Sequence, residues 1–435
     1  MVTNHLPEGI VAATTALAGE VSSWAAAHPD CTLGELEQAE LSAGRRALPR
    51  VLLATQRRLS ATPLRCPRCH HAAQAWGWRK RKVQTTCGRV CWERPWANCA
   101  ACGRGFGAGD ETLDITAETR RSAGVDGLVV ALGSAVAFRE AAALLAQTTG
   151  LKVATETVRR VTEAAGSACA DTDDAATAAY AAGEEPEVEA APGTLVVETD
   201  GVMVRYQDGW HEAKIGVVGG WDSQADGPLQ QPSYVAAREE SSAFAVRLGA
   251  AAARRGAQAV VGWRGRNNSI AQLRPVVVLG DGAKWIWEAA ATQFGARTEI
   301  IDYYHACEHL SSVAALLHGT DAKAAAHWSR ARREELRREG VAGILPFLTA
   351  PPGLAAEAAA ALRTEAGYFR NNAERMAYPA FRDAALPIGS GVVESSAKHV
   401  VQQRLKRPGT RWSAAGGRAM LALRADRASK ISKAA

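Results

Sequence analysis

Apolar positions recur at helical spacing over the first 60 residues. Residues 9–27 are alanine-rich, and 32–58 place Leu33, Leu36, Leu41, Leu48, Leu52 and Leu53 at intervals that suit one face of a helix. Thr32 followed by Glu35 reads as a capping box at the start of the second helix. Between residues 65 and 106 the periodicity disappears, and Cys, Trp, Arg and Gly dominate, which marks a small separate module. Helical pattern returns at 117–132 and 137–145, breaks at Gly150, and resumes over 154–165. Residues 171–193 are acidic and alanine-rich with Pro186 and Pro192, show no clear apolar face, and read as a linker.

Beyond Gly193 the pattern becomes mixed. Residues 195–204, 213–221 and 233–237 read as successive strands joined by short Gly, Asp or Pro loops, with a helix after them at 240–255. A buried strand at 276–279, a helix at 285–294 and a strand at 299–303 come next. Residues 306–378 read as almost entirely helical, and a last helix starts near Val392 and runs into a basic tail. The expected fold is therefore α/β: three strands, helix, strand, helix, strand, helix, the element order of an RNase H-like mixed sheet with an all-helical insertion before its last helix. The expected divisions are an N-terminal helical region (1–60), a zinc ribbon (61–110), a helix-turn-helix-like region (111–170), the linker (171–193), the first part of the core (194–305), the insertion (306–385), and a final helix with its tail (386–435).

At 435 residues the chain is long enough for two or three such domains. Its 47% hydrophobic and 22% charged residues are ordinary for a globular protein. No apolar run reaches a membrane span, and the start MVTNHLPEGI lacks the features of a signal peptide, so the expected location is the cytoplasm, with association to the nucleoid when bound to DNA. A net charge of +6 favours nucleic acid only weakly. Where the basic residues sit carries more information.

Six of nine cysteines fall between Cys66 and Cys102. Cys66-Pro-Arg-Cys69 and Cys99-Ala-Ala-Cys102 are two CxxC knuckles, each presenting two thiolates on one side of a tight turn, and together they make a tetrahedral site for one structural zinc ion. Cys87 and Cys91 read as packing cysteines outside it. Arg79, Lys80, Arg81 and Lys82 on the same module would contact phosphates, with Trp76 and Trp78 either stacking on bases or forming its core. A helix around Phe138, a turn at Gly150 and a helix opening with Thr155, Thr157, Arg159 and Arg160 have the layout of a DNA-reading helix-turn-helix.

Three carboxylates carry the chemistry. Asp200 lies on the first expected strand of the core and Asp281 closes the fourth, which are neighbours in this sheet order; Glu394 lies in the first turn of the last helix. Three clustered carboxylates repel unless cations neutralise them, and an all-oxygen set with room for phosphate suits two magnesium or manganese ions. Such a pair activates a hydroxyl on one side of a phosphodiester and stabilises the leaving oxygen on the other. After Glu394 come Lys398, Arg404, Lys406, Arg407 and Arg411, expected to clamp a DNA backbone, with Trp412 placed to stack on an exposed base.

The segments Glu198-Thr-Asp-Gly-Val-Met-Val, Gly209-Trp-His-Glu-Ala-Lys-Ile-Gly-Val, Leu279-Gly-Asp-Gly-Ala-Lys-Trp-Ile-Trp, Asp302-Tyr-Tyr-His305-Ala-Cys-Glu-His-Leu and Ile388-Gly-Ser-Gly-Val-Val-Glu-Ser-Ser-Ala-Lys resemble those of the ISKra-type insertion-sequence transposases of bacteria. The resemblance runs over roughly residues 60 to 425. It implies an RNase H-like catalytic domain, a DDE triad at Asp200, Asp281 and Glu394, and recognition of terminal inverted repeats. Asp302 and His305 resemble the D-x-x-H element that related transposases, Mutator among them, place before the glutamate; in this chain the pair would orient substrate or bond to each other. The function expected is metal-dependent cleavage of transposon ends and strand transfer. Partner expectations are the inverted repeats, target DNA and a homodimer or larger assembly. The rival readings are an inactive, domesticated DNA-binding regulator and an RNase H-like nuclease.

Overall fold

The computed structural model describes residues 8–59, 64–111, 113–223, 229–257 and 276–434. The chain divides into two compact units, residues 1–162 and 163–435.

In the first unit, helices α1 (Glu8–Ala27) and α2 (Leu33–Leu59) pack on each other. Glu35 accepts from the Thr32 N–H at 2.8 Å and donates its own N–H to Thr32 Oγ1 at 3.3 Å, so the capping box forms as its spacing suggests. Strands β1 (Ala75–Thr85), β2 (Gly88–Asn98) and β3 (Gly105–Gly107) make a three-stranded antiparallel sheet. Three helices come after it: α3 (Ala123–Ala135), α4 (Phe138–Thr149) and α5 (Thr155–Ala181), the last with only its first turns, to Thr162, in this unit. Val125, Val129, Ala141, Leu145, Leu151 and Val158 form their common core. Gly150 ends α4 in the left-handed conformation, at φ 73°, with its N–H on the Ala146 carbonyl, a position where a side chain would add strain.

The segment 171–193, expected to be a linker, is helical as far as Ala181, and the irregular stretch is confined to its second half. Its alanines favour helix, and its acidic residues have partners within the second unit: Asp174 meets Arg247 at 2.8 Å and Arg418 at 2.5 Å, while the Tyr180 hydroxyl donates to Gln293 at 3.3 Å. Ion pairs take the place of the apolar face that the sequence lacks here.

The second unit is built on a mixed five-stranded sheet, β4 (Thr194–Tyr206), β5 (Gly209–Trp221), β6 (Gln230–Ala237), β7 (Val276–Gly280) and β8 (Arg297–Ile301), in the order β6-β5-β4-β7-β8. The β4–β5 and β5–β6 pairs are antiparallel, and β4–β7 and β7–β8 are parallel. Helices α6 (Ser241–Arg254) and α7 (Lys284–Gln293) accompany it. Leu195, Val197, Ile215, Leu248, Leu279 and Ile300 are fully buried in this core. The helical insertion comprises α8 (Tyr303–His318), α9 (Ala322–Glu339), α10 (Val341–Ile344), α11 (Ala356–Asn371) and α12 (Tyr378–Asp383).

The last expected helix is in fact two. The first runs as α13 (Gly391–Ser396), a π-helical segment (Ala397–Gln402) and α14 (Gln403–Leu405); a loop at 406–413 then leads to α15 (Ala414–Ala434). Pro408 and Gly409 break the pattern, and Trp412 holds the loop by backbone bonds to the β4 end: its N–H donates to the Arg205 carbonyl and its carbonyl accepts from Gln207. The tail is therefore not a free basic arm. It packs on β6 and buries Met420, Leu421 and Leu423. Among the described residues, no helix is long and apolar enough to cross a membrane.

Candidate functional site

Asp200 sits mid-strand on β4, and Asp281 comes directly after β7, the parallel neighbour of β4. The tight bend after Asp281 is fixed by the Ala283 N–H, which donates to Asp281 Oδ1 at 2.9 Å, and by Gly282, at φ 98° and packed so close to Tyr368 that a β-carbon would lie 3.0 Å from its hydroxyl. Burial pushes the Asp200 carboxyl up to about 6; the Asp281 and Glu212 charges add to this, against the Gly201 N–H and His305, which lower it. Two aspartates from distant parts of the chain thus share one electrostatic environment. Glu212 and Tyr368 join them: Glu212 lies in the second of the five motifs but has no role assigned by sequence, and Tyr368 lies outside them.

Glu394 is in the first turn of α13, where its side chain is 67% exposed and pairs with Lys398 at 2.7 Å. α13 packs on β4 and β5. Asp200, Asp281 and Glu394 are not gathered as tightly as a closed metal cage; among the described residues, the only such group of His, Cys, Asp and Glu is formed by cysteines.

Asp302 and His305 have distinct roles. Asp302 caps α8, accepting the His305 backbone N–H on Oδ1 at 2.9 Å, while its Oδ2 accepts both the N–H and the hydroxyl of Ser390. These bonds occupy its carboxylate, so it ties the segment before α13 to the end of β8, and its link to His305 runs through the backbone and not the ring. That ring packs edge-on against His309 at 5.0 Å and lies 3.5 Å from Glu308. His309 stacks on Tyr368 at 3.9 Å and bonds Glu365 at 2.7 Å, which brings the insertion helix α11 to the edge of the site.

Glu198 lies in the first of the five motifs, where sequence alone assigns it no role. It is fully buried, and its Oε2 accepts the Val393 N–H at 2.7 Å; burial and the nearby Asp302 charge raise it to about 8 despite that bond, so it carries a proton at neutral pH. Alternation along the strand puts Glu198 and Asp200 on one face of β4. A charged residue in a strand's middle was the available signal.

In the first unit Cys66, Cys69, Cys99 and Cys102 bring their sulfurs within 4.8 Å of one another and could hold a metal such as zinc. Burial raises the Cys66 thiol, but the N–H groups of Arg68 and Cys69 and the neighbouring thiols outweigh it and lower it, while the thiols around Cys69 push that group up, so the cluster shares its protons among its members. Cys87 and Cys91 lie outside the group, and Cys91 is exposed rather than packed.

The basic residues divide. Arg79, Lys80 and Lys82 are exposed, whereas Arg81 is 8% exposed and donates to the carbonyls of Thr116, Ala117 and Thr119. Expected to contact phosphate, Arg81 is instead a strut, because the strand's alternation turns it inward between its neighbours. Trp76 and Trp78 are 76% and 69% exposed, so the core of the ribbon is not theirs; Trp92 is buried there instead. Arg159 and Arg160 are exposed near the start of α5, with Arg159 paired to Glu156 at 2.5 Å. Between ribbon and helices lies a cleft of about 350 Å³ lined by Lys82, Arg89, Arg120, Arg121, Lys152 and Thr157. In the second unit Lys398, Lys406 and Arg411 are exposed and Arg407 is half-buried, but Arg404 is buried over the ring of Trp412, itself buried with its indole N–H on the Leu405 carbonyl at 3.2 Å. Neither a phosphate contact by Arg404 nor base stacking by Trp412 fits this arrangement; both fasten the 406–413 loop.

A family model described as an uncharacterised protein family, UPF0236, matches residues 68–434. No curated protein matches the chain.

Proposed function

The chain belongs to the uncharacterised protein family UPF0236, and from that premise we propose that it is a DNA transposase with an RNase H-like core, which cleaves transposon ends and joins them to target DNA by metal-dependent phosphoryl transfer. The observation that carries the reading is the placement of carboxylates on the sheet: Asp200 on its central strand, Asp281 at the end of the parallel neighbour, and Glu394 on a helix bonded to the Asp200 strand through Glu198. The strand order, with three antiparallel strands and two parallel ones beside them, is the order expected of an RNase H-like core. The resemblance of the five motifs to those of ISKra-type transposases supports the same reading.

The residues present suit a hard divalent cation. Asp200 is raised in part by the charges of Asp281 and Glu212, and a cation would relieve that repulsion. When bound, a pair of magnesium or manganese ions supplies Lewis acidity to the attacking and leaving oxygens of a phosphodiester. Asp200 and Asp281 would hold them from rigid backbone. Glu394, released from Lys398, would complete the set from α13. Lys398, no longer engaged, would be placed to meet a phosphate. Asp302 and Glu198 position α13 from opposite ends of its first turn.

DNA capture is the other half of the reading. The four-cysteine module, holding one zinc ion, would present Arg79, Lys80 and Lys82 to the backbone with Trp76 and Trp78 beside them. The Arg159–Arg160 end of α5 would read sequence. Joining of two ends calls for a dimer or larger assembly. The deciding experiment supplies the protein with magnesium, a pre-cleaved transposon end and a target plasmid, and looks for joined product. Cleavage without joining would make it a nuclease, and binding without either would make it a regulator.

A further inference from the structure

The hairpin that carries Asp200 ends in a feature that the carboxylate chemistry leaves unused. Trp210, near the start of β5, is 56% exposed and directly opposite Arg205 in the β4–β5 register, with the Arg205 guanidinium 6.0 Å from the indole centre. The 406–413 loop, bolted to this hairpin by Trp412, closes the other side. Between them is a groove of about 290 Å³ lined by Arg205, Trp210, Lys406, Arg407 and Arg411, with Pro408 and Gly409 completing its wall. Among the described residues, no carboxylate lines it.

We propose that this groove binds an unpaired stretch of DNA, with one base stacked on Trp210 and the flanking phosphates held by the surrounding lysine and arginines. Four cationic side chains around a single aromatic face match a polyanion whose bases are open, since an indole stacks only on a base that is not already covered by its neighbours. The groove holds about one nucleotide and is too small for a duplex. Two structural facts make the indole available. Trp412 is consumed in fastening the loop, and Trp210 stands on regular strand, where its orientation is set by the sheet and not by a mobile loop. An indole left half in water forgoes burial that a stacked base would recover in part.

Arg205 is five residues beyond Asp200, roughly 17 Å along an extended strand and on the opposite face of it. The groove is thus a second site, separate from the carboxylates, and its occupancy needs no divalent ion. It rests on the reading of the chain as a DNA transposase and assigns where a strand freed from its complement is held.

The test measures binding of the full chain, without added divalent ion, to a labelled oligo-dT strand and to a duplex of equal length. It is run in the wild type and in a Trp76→Ala/Trp78→Ala background, so that binding by the ribbon does not mask the groove. Trp210→Ala should weaken oligo-dT binding about tenfold or more and leave the duplex unaffected, while Trp210→Phe should keep most of the affinity. Lys406→Ala and Arg411→Ala should each flatten the salt dependence of strand binding by about 0.7 in slope. Wild-type affinity of Trp210→Ala for oligo-dT in both backgrounds, or an equal loss for strand and duplex, would overturn the proposal. Thermal melting of Trp210→Ala identifies a loss due to unfolding, in which case Trp210→Phe and the salt slopes decide. A strand site that depends on Trp210 in a protein that never cleaves DNA would leave the groove standing and remove the transposase reading; cleavage with no such site would do the reverse.

Discussion

The buried carboxyl of Glu198 accepts the backbone N–H of Val393 at 2.7 Å across 195 positions of sequence, fixing the residue just before Glu394 to the strand that bears Asp200. Asp302 fastens the same segment from its other side through Ser390. A helix that would otherwise be located only by its apolar face is thereby held in register with the carboxylate strand.

This arrangement makes stability depend on pH in a definite direction. The Glu198 carboxyl is raised from its ordinary value to about 8, so the folded chain holds a proton that the unfolded chain releases near pH 4.5. The stabilisation is complete below that lower value and is lost as pH rises towards and through 8. The metal-free protein should therefore melt at lower temperature at pH 9 than at pH 6, and Glu198→Gln should flatten that slope, since glutamine still accepts the Val393 N–H. A Glu198→Gln protein whose melting temperature falls as steeply as the wild type's would show that the titrating group lies elsewhere.

The four-cysteine module should contain one zinc ion per chain. Cys66→Ser with Cys69→Ser should release it and unfold the ribbon, because so small a module takes most of its folding energy from metal. Metal analysis and proteolysis of the 64–111 region check both halves; unchanged zinc content would count against the site.

Neighbouring basic residues on β1 should behave differently from one another. Lys80→Ala and Lys82→Ala should lower DNA affinity for all sequences alike, with a salt slope reduced by about 0.9 for each duplex phosphate that is no longer neutralised. Arg81→Ala should instead destabilise the protein by roughly 2–4 kcal/mol through loss of charged donors to three carbonyls. Denaturant melts and binding titrations on the same variants separate the two effects. Sequence preference should fail only when Arg159 or Arg160 is changed.

How much the sequence revealed depended on whether a residue's task is local. The Thr32–Glu35 box, the strand run at 276–279, the knuckle spacing at Cys66 and Cys99 and the Gly150 break are governed by neighbours within a few positions, and each was legible. Arg81 and Arg404 looked like clamp residues because a basic run carries no mark of which member turns inward; strand alternation and a ring at Trp412 decide that. The helix over 171–181 was hidden because its stabilising partners, Arg247 and Arg418, lie far along the chain. Glu198 and Glu212 belong to the recognisable motifs, yet only the folding of β4 against α13 and β5 brings out what they touch. Trp412, expected to stack on a base, is buried against the loop it fastens for the same reason.

The transposase reading stands or falls with the carboxylates, and the most direct measurement is cleavage of a transposon-end duplex in magnesium by the wild type and by Asp200→Asn, Asp281→Asn and Glu394→Gln, each with its DNA affinity measured in calcium. Cleavage should fall by several orders of magnitude in all three while affinity is kept or slightly raised, since shape is preserved and only metal-binding charge is removed. If Glu394→Gln alone stays active, the third carboxylate is another one, with Glu212, which adds to the charge on Asp200, to be tested before Glu308. Cleavage at the wild-type rate by the Asp200→Asn protein would contradict a catalytic metal site on this sheet.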